Sequence, residues 1–255
     1  MIDDRIAARR ATVREDRRRA RLARTRWVLA AVLAVIALVL VERSSLVALA
    51  EVQVAGTQRL EPDQVRAASG LELGTSTLRL QLAQAAARVE QGLPLVRTAE
   101  AWRVDPLTVA LVVEEREPAL VVVGEGERRF VDRDGVLIDE VGPQEEPGAT
   151  LPVIELPGPP PPVGATAADD PTLTNAVAVW RGLSGSLRAE VVRYRAAGPD
   201  ELTLTLSSGI DVRFGRAVRV DEKVRALGAV LADVGEVPVD VIDVRAPGAP
   251  VVVSP

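Results

Sequence analysis

The sequence contains no cysteine and no histidine. These two absences together remove thiol nucleophiles, disulfides, imidazole bases and the commonest zinc ligands, and most hydrolase chemistry goes with them. The missing cysteine leaves the redox compartment open, because a cysteine-free domain is stable on either side of a membrane. Aromatic residues make up only 2% of the chain. A core must then be built from Val, Leu, Ile and Ala, and stacking platforms for nucleotides or sugars are scarce. Lysine occurs once, as Lys223, among 31 basic residues. What is plentiful is aliphatic: 47% of the 255 residues are hydrophobic, enough for one or two folded units.

Charge is divided along the chain. Residues 1–26 carry ten arginines against Asp3, Asp4, Glu15 and Asp16, a balance of +6, so that the formal net charge of −5 leaves −11 for the remainder. Such an arm suits either nucleic acid or the inner side of a membrane. Trp27 to Val41 follows as an uncharged apolar run, flanked by Arg26 on one side and Glu42 and Arg43 on the other. Fifteen residues at 1.5 Å each cover about 22 Å, short of a hydrocarbon core of about 30 Å. To span, the helix must borrow length by continuing through Glu42 and Arg43 toward Leu46 to Leu49, with Arg26 snorkelling and Trp27 at the interface. The expectation is an uncleaved transmembrane helix over 27–47, with a basic cytoplasmic tail over 1–26. The competing reading is a signal peptide cleaved after Ala48-Leu49-Ala50.

Beyond residue 50 the patterning changes. Glu51 to Val54 alternates as a strand, and Pro62 opens a helix to about residue 68 that Gly70 closes. A second helix is predicted from near Ser76, burying Leu78, Leu82, Ala85, Ala86, Val89 and Leu93. Pro106 separates two extended runs, Val96 to Val104 and Leu107 to Glu115. In the second, Val109, Leu111 and Val113 share one face, and Thr108, Ala110 and Val112 share the other. The order is strand, helix, helix, strand, strand.

That order is the signature of a polypeptide-transport-associated (POTRA) domain, and the motifs resemble the FtsQ/DivIB cell-division family. "VQVAGTQRLEPDQVRAASGLELG" resembles the family's opening strand, glycine turn and first helix. "GLPLVRTAEAWRVDPLTVALVVEEREPAL" matches its pattern at Pro94, Val96, Ala99, Pro106, Thr108, Glu115, Arg116 and Pro118. Two positions depart: Asp105 stands where the family has Trp, and Gln81 where it has Asp. Further on, "FVDRDGVLID", "LPVIEL", "LTLTLSSGIDVRFG" and "VDVIDVRAPGAPVVV" resemble successive family strands, with an Asp170-Pro171 helix start and a helix at about 219–234 carrying Lys223 and Leu227.

The implied fold class is α+β: a single transmembrane helix, a POTRA domain over 48–117, and a second, antiparallel β-rich domain with flanking helices over 118–255. The resemblance further implies a bitopic membrane scaffold of the divisome, with its N-terminus cytoplasmic, its C-terminal domains extracytoplasmic, and its place at the division septum. Such a scaffold would bind FtsB and FtsL and help to regulate septal peptidoglycan synthesis. Partner binding by strand addition falls on Arg245, Ala246, Pro247, Gly248, Ala249, Pro250, Val251, Val252 and Val253. The membrane anchor is flanked by Arg26, Trp27, Glu42 and Arg43, and one helix touches lipid. The alternative is a secreted or membrane-anchored POTRA-type polypeptide-binding module unrelated to division.

No catalytic constellation stands out. A Ser-x-x-Lys motif would need serine at 220, which is Val220. Glu114, Glu115 and Glu117 could pair as glycosidase carboxylates, but Arg116 lies among them. Gly124-Glu125-Gly126 reads as a hairpin turn rather than a phosphate loop, and Asp132, Asp134 and Asp139 as turn residues rather than calcium ligands. The expectation is no enzyme, no metal, no cofactor, no small-molecule substrate and no nucleic acid.

Overall fold

The computed structural model describes residues 26–42, 44, 47–140, 151–235 and 238–254. Its first element, α1, covers residues 26–42, and its apolar side chains stand exposed all around, Trp27 at 77%. Among the described residues no helix is long and apolar enough to cross a membrane. The transmembrane helix over 27–47 is therefore corrected, and with it the membrane localisation and topology that it carried. The borrowed length is what fails. The Val47 carbonyl accepts the Thr77 hydroxyl at 3.0 Å, Ala48 bridges Ser76, and the Leu49 amide donates to the Thr75 carbonyl at 2.8 Å. Leu49 is 1% exposed in the core of the first unit. A residue committed to that core cannot also extend α1.

The first unit has β1 (Glu51–Ala55), α2 (Pro62–Ser69), α3 (Leu82–Gly92), β2 (Val96–Asp105) and β3 (Thr108–Glu115). Its three strands lie in the order β1-β3-β2, with β1 parallel and β2 antiparallel to β3. Pro62 sits in the first turn of α2, where its missing N–H costs nothing, and Glu61 and Gln64 form a capping box. α2 and α3 lay Val65, Ala85, Ala86 and Val89 against Val52, Val109, Leu111 and Val113. The second helix starts later than its spacing suggests. Thr77–Arg79 is a separate 3-10 turn, Leu80 is extended, and Leu78 is 57% exposed rather than on the buried face. The Arg103 guanidinium bonds to the Thr77 carbonyl and the Thr77 hydroxyl to Val47, which holds this stretch as a turn.

The second unit contributes β4 (Pro118–Gly124), β5 (Glu127–Asp132), β6 (Leu137–Glu140), β7 (Val153–Glu155), α4 (Pro171–Gly182), α5 (Gly185–Glu190), β8 (Val191–Gly198), β9 (Glu201–Leu206), β10 (Asp211–Arg213), α6 (Val220–Val234), β11 (Val241–Asp243) and β12 (Val251–Val253). Nine strands form one sheet in the order β12-β11-β10-β9-β8-β7-β4-β5-β6. It is mixed and not antiparallel as expected: β4 with β7, β7 with β8, and β10 with β11 run parallel. The reason is the connections. A parallel neighbour needs a crossover of about a dozen residues or more, and α4 with α5 carries one such return while α6 carries another. Helix α4 starts where the sequence places it, with the Asp170 carboxylate accepting the Thr172 and Leu173 amides. The core lies between the sheet and α4 and α6, around Tyr194, Leu204, Val212, Phe214, Leu227 and Ile242.

The two units meet over Leu60 and Leu95 on one side and Val121, Phe130 and Ile138 on the other. The Glu115 carboxylate accepts the amides of Gln58 at 2.8 Å, Arg59 at 2.9 Å and Leu60 at 3.0 Å. Burial pushes its pKa up, but the amides of Leu60, Gln58 and Arg59 and the Arg59 charge prevail, holding it below the ordinary 4.5. Arg116 pairs with Asp132 at 2.7 Å, Arg97 with Asp134 at 2.6 Å and Arg59 with Asp139 at 2.8 Å.

Candidate protein-interaction edge

β12 ends the nine-stranded sheet. It runs antiparallel to β11, with Val241 opposite Val253, Ile242 opposite Val252 and Asp243 opposite Val251. No strand lies beyond it among the described residues. The Val253 carbonyl accepts the Asp240 amide at 3.0 Å and so points inward. By the period of two, the N–H and C=O of Val252 point to the open side. Ile242 is fully buried in the core, which places Val252 on the helix-covered face at the sheet's margin, still 40% exposed. Val251 at 56% and Val253 at 47% lie on the opposite face.

The other residues expected at this site divide. Arg245 does not reach outward. Its guanidinium bonds to Asp243 at 2.6 and 3.0 Å, and its amide donates to the same carboxylate at 3.0 Å. The Arg245 hydrogen bond holds the Asp243 carboxyl below its usual range, and Asp243 raises Arg245 in return. Arg245 also passes over Gly215, which has φ +70° and whose ideal Cβ would lie 3.1 Å from the arginine Cγ, so that a side chain there would crowd it. Ala246 to Pro250 forms an exposed turn, closed by the Ala249 amide on the Ala246 carbonyl at 3.0 Å with Pro247 half-buried. Pro250 has no N–H to offer a neighbouring strand, which confines pairing to Val252 and beyond.

What sets this edge in place was not singled out as a site. The Lys223 ammonium, 4% exposed, donates to the Phe214 carbonyl at 2.9 Å and the Arg216 carbonyl at 2.8 Å. Asn175 donates to the Gly215 carbonyl at 3.1 Å and accepts the Ala217 amide at 2.6 Å. Two helices thus fix the segment after β10, and β10 fixes β11 and β12. The signal in the sequence was a single lysine on a helix otherwise spaced for burial. Desolvation lowers the Lys223 pKa, with Arg219 adding to this.

The remaining candidates fall elsewhere. Arg26 and Trp27 are exposed on α1, and Glu42 pairs with Arg79 of the first unit instead of flanking a span. Arg43 lies outside the described residues. Glu114, Glu115 and Glu117 line a cleft of about 530 Å³ at the junction with Arg97, Asp132 and Arg133. Two of its carboxylates are already committed, Glu115 to loop amides and Asp132 to Arg116 and to the amides of Asp134 and Val136. Glu125 and Gly126 both have positive φ between the paired Gly124 and Glu127, a two-residue hairpin turn.

Residues 47–116 match the sequence model of the FtsQ-type POTRA domain, and residues 119–245 match that of the FtsQ/DivIB cell-division protein C-terminal region. The chain belongs to the FtsQ/DivIB family. A cell division protein FtsQ of Mycobacteroides abscessus is 31% identical over 202 residues, covering 78% of this chain and 59% of that protein. Those of Streptomyces bingchenggensis and Streptomyces collinus are each 31% identical, over 82% and 74% of this chain and 77% and 72% of their own lengths. The chain thus spans about three fifths of the mycobacterial relative and about three quarters of the Streptomyces ones. The family's members are non-catalytic scaffolds, and this chain is not an enzyme. The C-terminal match stops at Arg245, so Ala246 to Val253 lies beyond it.

Proposed function

We propose that the chain is a polypeptide-binding module of the cell-division machinery that captures an extended segment of another protein along β12. The observation that carries this reading is the open side of β12, where among the described residues the backbone groups of Val252 have no partner strand and three successive valines are exposed. An unpaired edge offers main-chain hydrogen bonds, and alternate side chains on its two faces read the incoming strand. FtsB- and FtsL-type division proteins are the partners this reading takes from the family. The expectation of a bitopic membrane scaffold is corrected, because no described helix crosses a membrane. The binding function stands on the sheet edge alone.

The test is Val252→Asp in a pull-down against FtsB- and FtsL-type partners. A carboxylate beside the incoming strand abolishes capture while the thermal transition stays put, because Val252 packs at the margin. Capture that persists unchanged in a folded variant overturns the assignment.

A further inference from the structure

The three-stranded sheet has an open edge of its own. Among the described residues β2 pairs with β3 on one side and with no strand on the other. The Ala99 amide donates to Glu90 Oε1 at 2.8 Å, so it points away from β3 and is already capped. The register with β3 is unbroken from Thr98 to Arg103. The period of two therefore sends the backbone groups of Ala101 and Arg103 the same way, and among the described residues no backbone group pairs with them. The edge is closed at Ala99 and open beyond it.

The face that borders this edge is of one charge sign. Trp102 lies opposite Ala110, which lies opposite Gln53, and Glu100 lies opposite Val112, all on the side away from α2 and α3. Trp102 is 45% and Val104 55% exposed. Glu51, Glu100 and Glu114 share this face. Among the described residues Glu114 meets only the Thr98 hydroxyl at 3.4 Å, Glu51 only the Gln53 amide at 3.2 Å, and Glu100 no partner. The cations of β2 are engaged: Arg103 bonds to the Thr77 carbonyl, and Arg97, which lines the junction cleft with Glu114, pairs with Asp134.

We propose that β2 from Ala101 onward, with the face around Trp102, binds an extended partner segment carrying Arg or Lys at every second position. The backbone edge supplies strand pairing, the indole offers its face to a guanidinium or ammonium, and Glu100 and then Glu114 lie within reach of the cationic tips. Alternation is required because only every second side chain of an added strand falls on this face. The site is separate from β12 and does not depend on the reading given to it.

The experiment uses the full chain and three fluorescently labelled ten-residue peptides: five repeats of Arg-Thr, five repeats of Glu-Thr, and a block of five Arg followed by five Thr. Fluorescence anisotropy at low salt shows binding of the alternating basic peptide, none of the acidic one, and weaker binding of the block. Glu100→Arg with Glu114→Arg lowers affinity for the alternating peptide roughly tenfold, since two exposed charge pairs are reversed, and Ala101→Pro lowers it by removing the outward amide. Where Ala101→Pro loses its thermal transition, Trp102→Ala provides the same reading. Val252→Asp leaves this binding intact, which separates the two edges. The proposal is overturned if the alternating basic peptide does not bind, if the acidic or block peptide binds as well, or if the charge-reversed variant keeps full affinity. Concentration-dependent dimerisation that Ala101→Pro abolishes, without peptide binding, would instead assign the edge to a second copy of the chain.

Discussion

The two ends of the nine-stranded sheet are built from the same kind of residue and put to opposite uses. At the β6 end, the Leu137 amide donates to the Ala165 carbonyl, the Gly164 amide donates to the Leu137 carbonyl, and Val136 bridges Thr166, so the edge is covered by the chain itself. The face there is sealed too, with Val121, Phe130 and Ile138 beneath Leu60 and Leu95 of the first unit. At the β12 end three valines remain exposed and, among the described residues, no strand pairs with the outer side. An open edge is an aggregation hazard, and keeping it to three residues after a proline limits that hazard without closing it. One end is stabilised by what covers it, while the other is held in place from behind by Lys223 and Asn175.

If that division is right, substitutions at the covered end cost stability and substitutions at the open end cost binding. The largest effect is expected from Asp132→Ala, which leaves Arg116 without its 2.7 Å partner in a site where Asp132 is 2% exposed. Asp134, 3.8 Å from the same guanidinium, compensates in part, so urea denaturation should show a loss of about 3 kcal/mol, the low end for a broken buried pair. Lys223→Ala comes next, removing two charged hydrogen bonds to carbonyls, for about 2 kcal/mol. It also sharpens the comparison, because capture at β12 should fall with it although Lys223 touches no partner. A Lys223→Ala chain that binds normally would show that the edge needs no support from behind.

Glu115→Gln should cost about 1 kcal/mol at neutral pH and alter the acid limb of stability. The folded Glu115 carboxyl titrates below its unfolded value of 4.5. Its contribution is therefore complete above that value and is lost as pH falls through the folded pKa. Denaturation midpoints measured between neutral and acid pH should fall less steeply in the variant. The smallest stability effect belongs to Val252→Asp, within about 0.5 kcal/mol for an exposed marginal position, with the transition followed by circular dichroism.

How much of this could be read in advance follows from the range of each interaction. Local rules were legible: the Asp170 cap, the Pro62 helix start, and the two faces of β3, on which Val109, Leu111 and Val113 are buried together. Asp132 was legible as a turn residue, since the amides that donate to its carboxylate are only two and four positions away. Its pairing with Arg116, sixteen positions back, was not. Parallel pairing of β7 with β8 and of β10 with β11 escaped the reading because alternation along a strand carries no direction relative to its neighbour. α5, six residues capped by Ser184, is too short to show a helical period. The valine run at the C-terminus was visible as a strand, but Arg245 was grouped with it although its guanidinium is spent on Asp243. The apolar run of α1 was equally visible. What could not be seen was that Val47, at the end of the expected helix, is tied to Thr77 of the first unit.

That capture gives the chain a mooring. Described residues on both sides of the connection between α1 and β1 are tied to the first unit: Glu42 pairs with Arg79, Ala48 bridges Ser76, and Leu49 exchanges hydrogen bonds of 2.8 Å with Thr75 and Gly74. A pull or tilt delivered along α1 therefore loads the loop between α2 and α3 before it reaches β1. The strand behind it, laid parallel to β3, would then be strained in shear, with its bonds sharing the load together instead of peeling one by one.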